Sequence, residues 1–187
     1  IARLITGVGE FTQTLTHDSL GQVLRTDYPA GASLHYRYNR LGGLEKVCAH
    51  ESCDSSGEVY YRVDPVSGFD LFGALIREDF GNGVAAEYDY FPNSRRLRSK
   101  RTFRGDETLS NREYTYDVYS NIKSLSDPLD LPGGAAIPDI NYDNLNRLLS
   151  YRFDGTPTSY VMQYDDNGNI LKNPASFGTA AYEYTSP

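Results

Sequence analysis

The sequence predicts an all-β protein, an antiparallel ribbon of β-hairpins. Three observations predict it. A short turn motif recurs seven times, the segments between its copies alternate aromatic or apolar residues with polar ones, and the composition favours sheet over helix. Repeats of ~20–50 residues set the architecture before any local reading does. Strict alternation is the period of a strand with two unlike faces.

Composition comes first. The 187 residues hold 16 Tyr and 8 Phe, one Met and no Trp, with an apolar share of 39%. Aromatics with one polar edge suit a thin sheet better than a deep helical core. The 17 Gly and 9 Pro imply frequent turns. A formal charge of −7 and a pI near 4.9 lack the basic footprint of a general nucleic-acid binder. No apolar run approaches the ~18 residues of a membrane helix. The chain opens "IARLITGVGE", with no initiator Met and no basic-then-apolar leader, and reads as an excised piece of a larger protein.

The motif is clearest in "YDDNGNI" at Tyr164. The other copies are "HDSLGQV" at His17, "YNRLGGL" at Tyr38, "FDLFGAL" at Phe69, "YFPNSRRL" at Tyr90, "YDVYSNI" at Tyr116 and "YDNLNRL" at Tyr142. Their starts lie 21, 31, 21, 26, 26 and 22 residues apart. The copy at Tyr90 is one residue longer. The first position is aromatic in six copies and His in one; it closes a strand and packs on the facing one. The second is Asp or Asn in six (among them Asp70, Asp117, Asp143 and Asp165), whose side chains bond backbone N–H groups two residues on. The fifth is Gly21, Gly42, Gly73, Gly168, Asn146, Ser94 or Ser120. Gly and Asn adopt the left-handed conformation of a short hairpin loop most readily, and the two serines least comfortably. The seventh is Leu, Ile or Val and begins the return strand.

Between copies, "GASLHYRYN", "VAAEYDYF", "REYTYD" and "SYVMQYD" read as strands of period two. Second turns fall at "YPAGAS", "FGNGVA", "FRGDET", "LPGGAA" and "FDGTPT". Each repeat therefore supplies two strands and two turns. "NLNRLLSYRF" could form one turn of helix, but its place in the repeat favours strand. The step of 31 carries an inserted Cys-containing loop over residues 47–60, and "SDPLDLPGGAAIPD" is a Pro-rich connection unlike a strand.

"YDDNGNIL", "YDVYSNIKSL" and "YDNLNRLLSY" resemble the YD repeats, Y-D-x-x-G-x-L, of the Rhs family, and the resemblance spans residues 17–173. That family includes Rhs polymorphic toxins, the B and C components of Tc toxins, and the teneurins. The resemblance implies that residues 1–187 are a YD-repeat region, part of a hairpin ribbon that spirals into a hollow shell. In bacterial members the shell encloses a C-terminal toxin polypeptide and releases it with an aspartyl-type autoprotease. The "DPxGL" cleavage motif of those shells has no match here: "DPVSG" at Asp64 and "DPLD" at Asp127 lack its context. The resemblance therefore carries over a fold and a container role, with no catalytic residue and no cofactor. The implied partners are further shell repeats and an enclosed toxin polypeptide, and the implied setting is secreted or cell-surface and bacterial. No N-x-S/T sequon argues otherwise. Seven repeats fall short of closing a shell, and open edges pair with other chains.

Other candidate sites each have a blander reading beside the functional one. Cys48 and Cys53 could form a disulfide, stay free thiols, or hold a metal with His50 and Asp54, although C-x4-C with one His is no known zinc spacing. "RRLRSKRTFR", Arg95 to Arg104, holds six of the 18 basic residues; a polyanion contact and an R-S-K-R protease site compete with a solvated strand, which is favoured. Arg104, Gly105 and Asp106 spell the integrin-binding tripeptide in a turn where Gly-Asp is ordinary turn chemistry. The carboxylates are accounted for by turns rather than a glycosidase pair, and no enzyme constellation is present. Two functions remain: a wall segment of a toxin-enclosing shell, or a surface module that binds glycan or a partner protein through exposed Tyr.

Overall fold

The structure is a computed structural model and describes residues 2–5, 9–29, 31–53, 58–127, 129 and 136–172. Among them there is no helix, and the fold is all-β and antiparallel. The chain divides into two compact units, Ile1–Tyr88 with Thr102–Glu107, and Asp89–Arg101 with Thr108–Pro187.

In the first unit β1 (Ala2–Ile5) pairs with β2 (Gly9–Thr12). A meander follows: β3 (Thr14–His17), β4 (Val23–Asp27), β5 (Ser33–Tyr38), β6 (Leu44–Cys48), β7 (Val59–Arg62), β8 (Arg77–Phe80) and β9 (Val84–Tyr90). β10 (Leu97–Arg104), β11 (Glu107–Tyr116) and β12 (Ile122–Ser126) continue it, so that β3 to β12 lie in chain order in one ten-stranded sheet. Each strand thus pairs with its sequence neighbours, as hairpin connections of a few residues require. In the second unit β13 (Asp139–Tyr142), β14 (Leu148–Arg152) and β15 (Ser159–Val161) form a three-stranded sheet, and β16 (Gln163–Tyr164) pairs with β17 (Ile170–Lys172). "NLNRLLSYRF" is strand, as its place in the repeat indicates.

Period two separates two faces. In the first unit Tyr36, Val47, Tyr61 and Phe80 stand opposite one another across β5 to β8, the last two in edge contact at 5.8 Å between ring centroids. The other face carries Arg37, Lys46, Arg62 and Asp79 in the same register. In the second unit Ile140, Tyr151 and Tyr160 align, with Tyr151 and Tyr160 stacked at 5.1 Å and Phe153 set edge-on to both. Few apolar residues are fully buried: Val47, Cys48, Cys53, Val63, Ala85 and Ala86 in the first unit and Met162 in the second, among the described residues. With so few apolar side chains buried, ladders and turns carry much of the stability of these sheets.

The inserted connection joins two strands of the sheet. β6 runs through Cys48 and β7 starts at Val59; of the residues between them, 54–57 lie outside the described ones. "LPGGAA" lies largely outside the described residues, though Ile137 bridges back to Leu125.

Candidate functional site

The most elaborated feature is the row of motif turns, each built by local chemistry. In the sixth copy the Asp143 amide donates to the Arg147 carbonyl at 2.9 Å and the Asn146 amide to the Asp143 carbonyl at 3.0 Å. Asp143 Oδ1 accepts the amides of Leu145 and Arg147 at 2.9 and 3.0 Å. The same four bonds recur at Asp18, Asn39, Asp70, Asp117 and Asp165. One side-chain oxygen thereby satisfies two amides that the turn would otherwise leave unpaired. Asn39 makes the same bonds, so the turn requires an acceptor and not a charge. The fifth position is left-handed in all six: φ is 81° at Gly21, Gly42 and Gly73, 87° at Gly168, 74° at Ser120 and 58° at Asn146.

The copy at Tyr90 departs from this. Phe91 offers no side-chain acceptor, and its amide donates to the Arg96 carbonyl across a loop one residue longer. The left-handed residue is Arg95, at φ 58°, and not Ser94 as the motif alignment placed it. The extra residue moves the strained position on by one.

The first position does more than close a strand. The hydroxyls of Tyr38, Tyr116, Tyr142 and Tyr164 donate to the carbonyls of Val23, Leu97, Ile122 and Leu148 at 2.8–3.0 Å. Each acceptor is the last residue of the preceding motif copy, its closing position. Every such tyrosine therefore ties its repeat to the one before it. Burial pushes the phenols of Tyr38, Tyr116 and Tyr142 up, which keeps them protonated donors. Sequence reasoning missed this tie. Its trace was the preference for Tyr over Phe at position one, in five copies against one.

The residue before the closing position adds a second tie. Gln22 Nε2 donates to the Gly42 carbonyl at 3.0 Å, Arg96 Nη1 to the Asp117 carbonyl at 3.1 Å, and Asn121 Nδ2 to Asn146 Oδ1 at 2.9 Å. The guanidinium groups of Arg96 and Arg147 lie over the rings of Tyr116 and Tyr164 at 4.7 and 4.3 Å. At the tips, position four is solvent-facing and apolar or aromatic in five copies: Leu20, Leu41, Phe72, Tyr119 and Leu145 are each at least 72% exposed. An open cleft of about 640 Å³ lies between the fifth and sixth turns, lined by Tyr116, Tyr119, Lys123, Tyr142 and Asn144 among others. Its carboxylates, Asp117 and Asp143, are occupied by turn amides.

Phe69 lacks the hydroxyl and follows the insert; it bridges Leu75 within its own turn. The carboxylates of the two Asp-Pro pairs are occupied as acceptors, Asp64 within its turn and Asp127 by residues of β11. Asp64 takes the Val66 and Ser67 amides, and Asp127 takes Ser110 Oγ at 2.6 Å and the Asn111 amide at 3.0 Å.

Cys48 and Cys53 form a disulfide, with Cα atoms 5.4 Å apart. No group of three or more His, Cys, Asp or Glu side chains is placed to hold a metal among the described residues; Asp54 lies outside them. The basic run is β10, a strand inside the sheet with β9 and β11 on either side. Arg98 pairs with Asp89, and Arg101 donates to Thr108 Oγ1. The R-S-K-R segment is therefore held in extended ladder backbone. Arg104 ends β10, and Gly105 and Asp106 form an exposed two-residue turn with Gly105 at φ 55°.

No family model and no curated protein matches the chain. Solved structures do match. The TcdB2-TccC3-TEV crystal structure aligns with 87% of this chain and 9% of its own at 20% identity and a TM-score of 0.63. TcdB2-TccC3 without its hypervariable C-terminal region aligns with 93% of this chain and 10% of its own, at 21% identity and a TM-score of 0.64. A Tc holotoxin pore of Photorhabdus luminescens aligns with 92% and 9%, at 22% and 0.60. The chain thus shares the fold of these toxin components and spans about a tenth of the length of each.

Proposed function

We propose that this chain is a non-catalytic wall segment of a YD-repeat shell that encloses a toxin polypeptide and helps deliver it. One observation carries the reading. Tyrosine hydroxyls of four motif copies bond back to the closing carbonyl of the copy before. Such a ribbon is extended by adding repeats that touch only their neighbours, which is how an enclosing wall of any length is built. The fold shared with Tc toxin components supports it. Further repeats and the enclosed polypeptide are then its partners, and the setting is a secreted bacterial toxin.

Limited proteolysis with intact-mass analysis of the whole polypeptide that contains this segment tests the proposal. The expected result is a C-terminal piece that is cleaved from the wall, resists added protease and co-purifies with it. A single uncut chain with no protected C-terminal segment refutes it and leaves the surface-binding module as the reading to pursue.

A further inference from the structure

We propose that the Cys48–Cys53 disulfide latches a short loop over a row of three cations, and that opening it uncovers a docking strip for an acidic polypeptide segment. The proposal is independent of whether the chain lines a shell. On the charged face of the first unit, Arg37 on β5 stands opposite Lys46 on β6, and Lys46 stands opposite Arg62 on β7. Directly opposed side chains in an antiparallel pair have Cβ atoms about 5 Å apart, where like charges destabilise the sheet. Elsewhere the same kind of pairing matches opposite charges: Arg77 faces Glu87 at 3.0 Å and Arg152 faces Asp139 at 2.6 Å.

The loop relieves the repulsion. Arg37 Nη2 donates to the Glu51 carbonyl, and Lys46 Nζ donates to the Cys53 carbonyl at 2.9 Å. Of the three cations only Arg62 reaches a carboxylate among the described residues, Asp79, at 3.8 Å. A carbonyl satisfies a donor of each cation but brings no counter-charge, which a carboxylate supplies together with the hydrogen bond. An extended acidic segment could therefore replace both carbonyls and gain by it, provided the loop leaves. The disulfide opposes that. It fixes both ends of the loop, with Cys48 fully buried, Cys53 4% exposed, and Cys53 held at φ 48°, a left-handed conformation costly for a residue with a Cβ.

Opening requires a dithiol reductant. Its two thiols become a disulfide, the Cys48–Cys53 bond breaks, and two electrons and two protons leave both cysteines as thiols. Cys53 then relaxes out of the left-handed region and takes its carbonyl from Lys46.

Fluorescence anisotropy of a labelled hexaglutamate peptide against the 187-residue chain at low salt tests this. The reduced chain in dithiothreitol should bind about tenfold tighter than the oxidised chain, about 1.4 kcal/mol, which is what two or three exposed ion pairs supply. The double variant Cys48→Ser/Cys53→Ser should show that gain without reductant. Adding Arg37→Gln and Lys46→Gln should remove it. Equal affinity in both redox states overturns the proposal, as does a gain that survives the Gln substitutions. Hydrogen exchange on the unmodified chain guards against a variant that does not fold. Reduction should expose the Cys53 amide, now bonded to the His50 carbonyl, while the β5–β6 amides stay protected. Loss of protection across β5 and β6 would mean that binding follows unfolding, and would also overturn it.

Discussion

Replacing Tyr142 by Phe removes one hydroxyl and keeps the ring. The hydroxyl donates to the Ile122 carbonyl at 3.0 Å, and the residue is half-buried beside the fifth turn. A hydrogen bond of this kind is worth about 1 kcal/mol net, and more if the abandoned acceptor stays dry. In a chain of this length, about 1 kcal/mol lowers Tm by roughly 2–4 °C. Tyr119 provides the control within the same cleft: it is 75% exposed and its hydroxyl makes no hydrogen bond among the described residues, so Tyr119→Phe should stay within about 0.5 kcal/mol of the parent. Urea denaturation followed by circular dichroism measures both. The ties at Tyr38, Tyr116, Tyr142 and Tyr164 belong to different repeat pairs, so losses from distant copies should add to within a few tenths of a kcal/mol. If Tyr142→Phe and Tyr119→Phe were indistinguishable, the hydroxyl would carry no inter-repeat energy, and the observation behind the wall proposal would lose its energetic meaning.

Further outcomes follow from the same geometry. The Arg147 backbone amide, helped by its side chain and by the Leu145 amide, holds Asp143 below the usual carboxylate range, and Asn169 does the same for Asp165. A lowered folded pKa contributes stability that is complete above the unfolded value near ~4 and is lost as pH falls through the folded one. Tm should therefore drop below about pH 4, and Asp143→Asn/Asp165→Asn should flatten that acid limb while keeping the turns, as Asn39 does naturally. Alkylation without reductant should label neither Cys48 nor Cys53, and Cys48→Ser/Cys53→Ser should cost about 2 kcal/mol for so short a loop, read from the urea midpoint. Ser120→Gly should stabilise by up to about 1 kcal/mol, because Ser120 sits at φ 74° where only glycine is unstrained; a lower Tm would contradict the strain assignment.

How far the molecule could be read from its sequence depends on the range of each interaction. The turns were legible because their chemistry closes within five residues. Asp143 caps amides two and four positions on, and the left-handed residue at Asn146 falls inside the same span. Strand period and chain-order pairing follow from short connections, and they were legible too. Interactions that reach 15 to 20 residues back were not. Nothing local says that the Tyr38 hydroxyl ends on Val23 or that of Tyr142 on Ile122, because the target is fixed by register between hairpins. The shift from Ser94 to Arg95 was hidden by a one-residue insertion whose place a motif alignment cannot assign. The row Arg37, Lys46 and Arg62 is invisible in sequence, where its members lie 9 and 16 residues apart and become neighbours only through two registers.

That division has a physical consequence. Local turn chemistry shapes each hairpin, and the tyrosine hydroxyl and the residue before the closing position tie one repeat to the next. Copies that lack those ties mark where the ribbon is least coupled. The stretch from Tyr38 to Phe69 is one: position six of the second copy is Gly43, position one of the third is Phe69, and the insert lies between. There the strands of the sheet continue, but the side-chain ties of the motif do not. The disulfide and the loop-capped cations occupy that interval, so they brace the ribbon where its repeat chemistry leaves it unbraced. Breaking Cys48–Cys53 should therefore lower the urea midpoint more than breaking any one tyrosine tie does, about 2 kcal/mol against about 1 kcal/mol, with the β5–β6 ladder still paired.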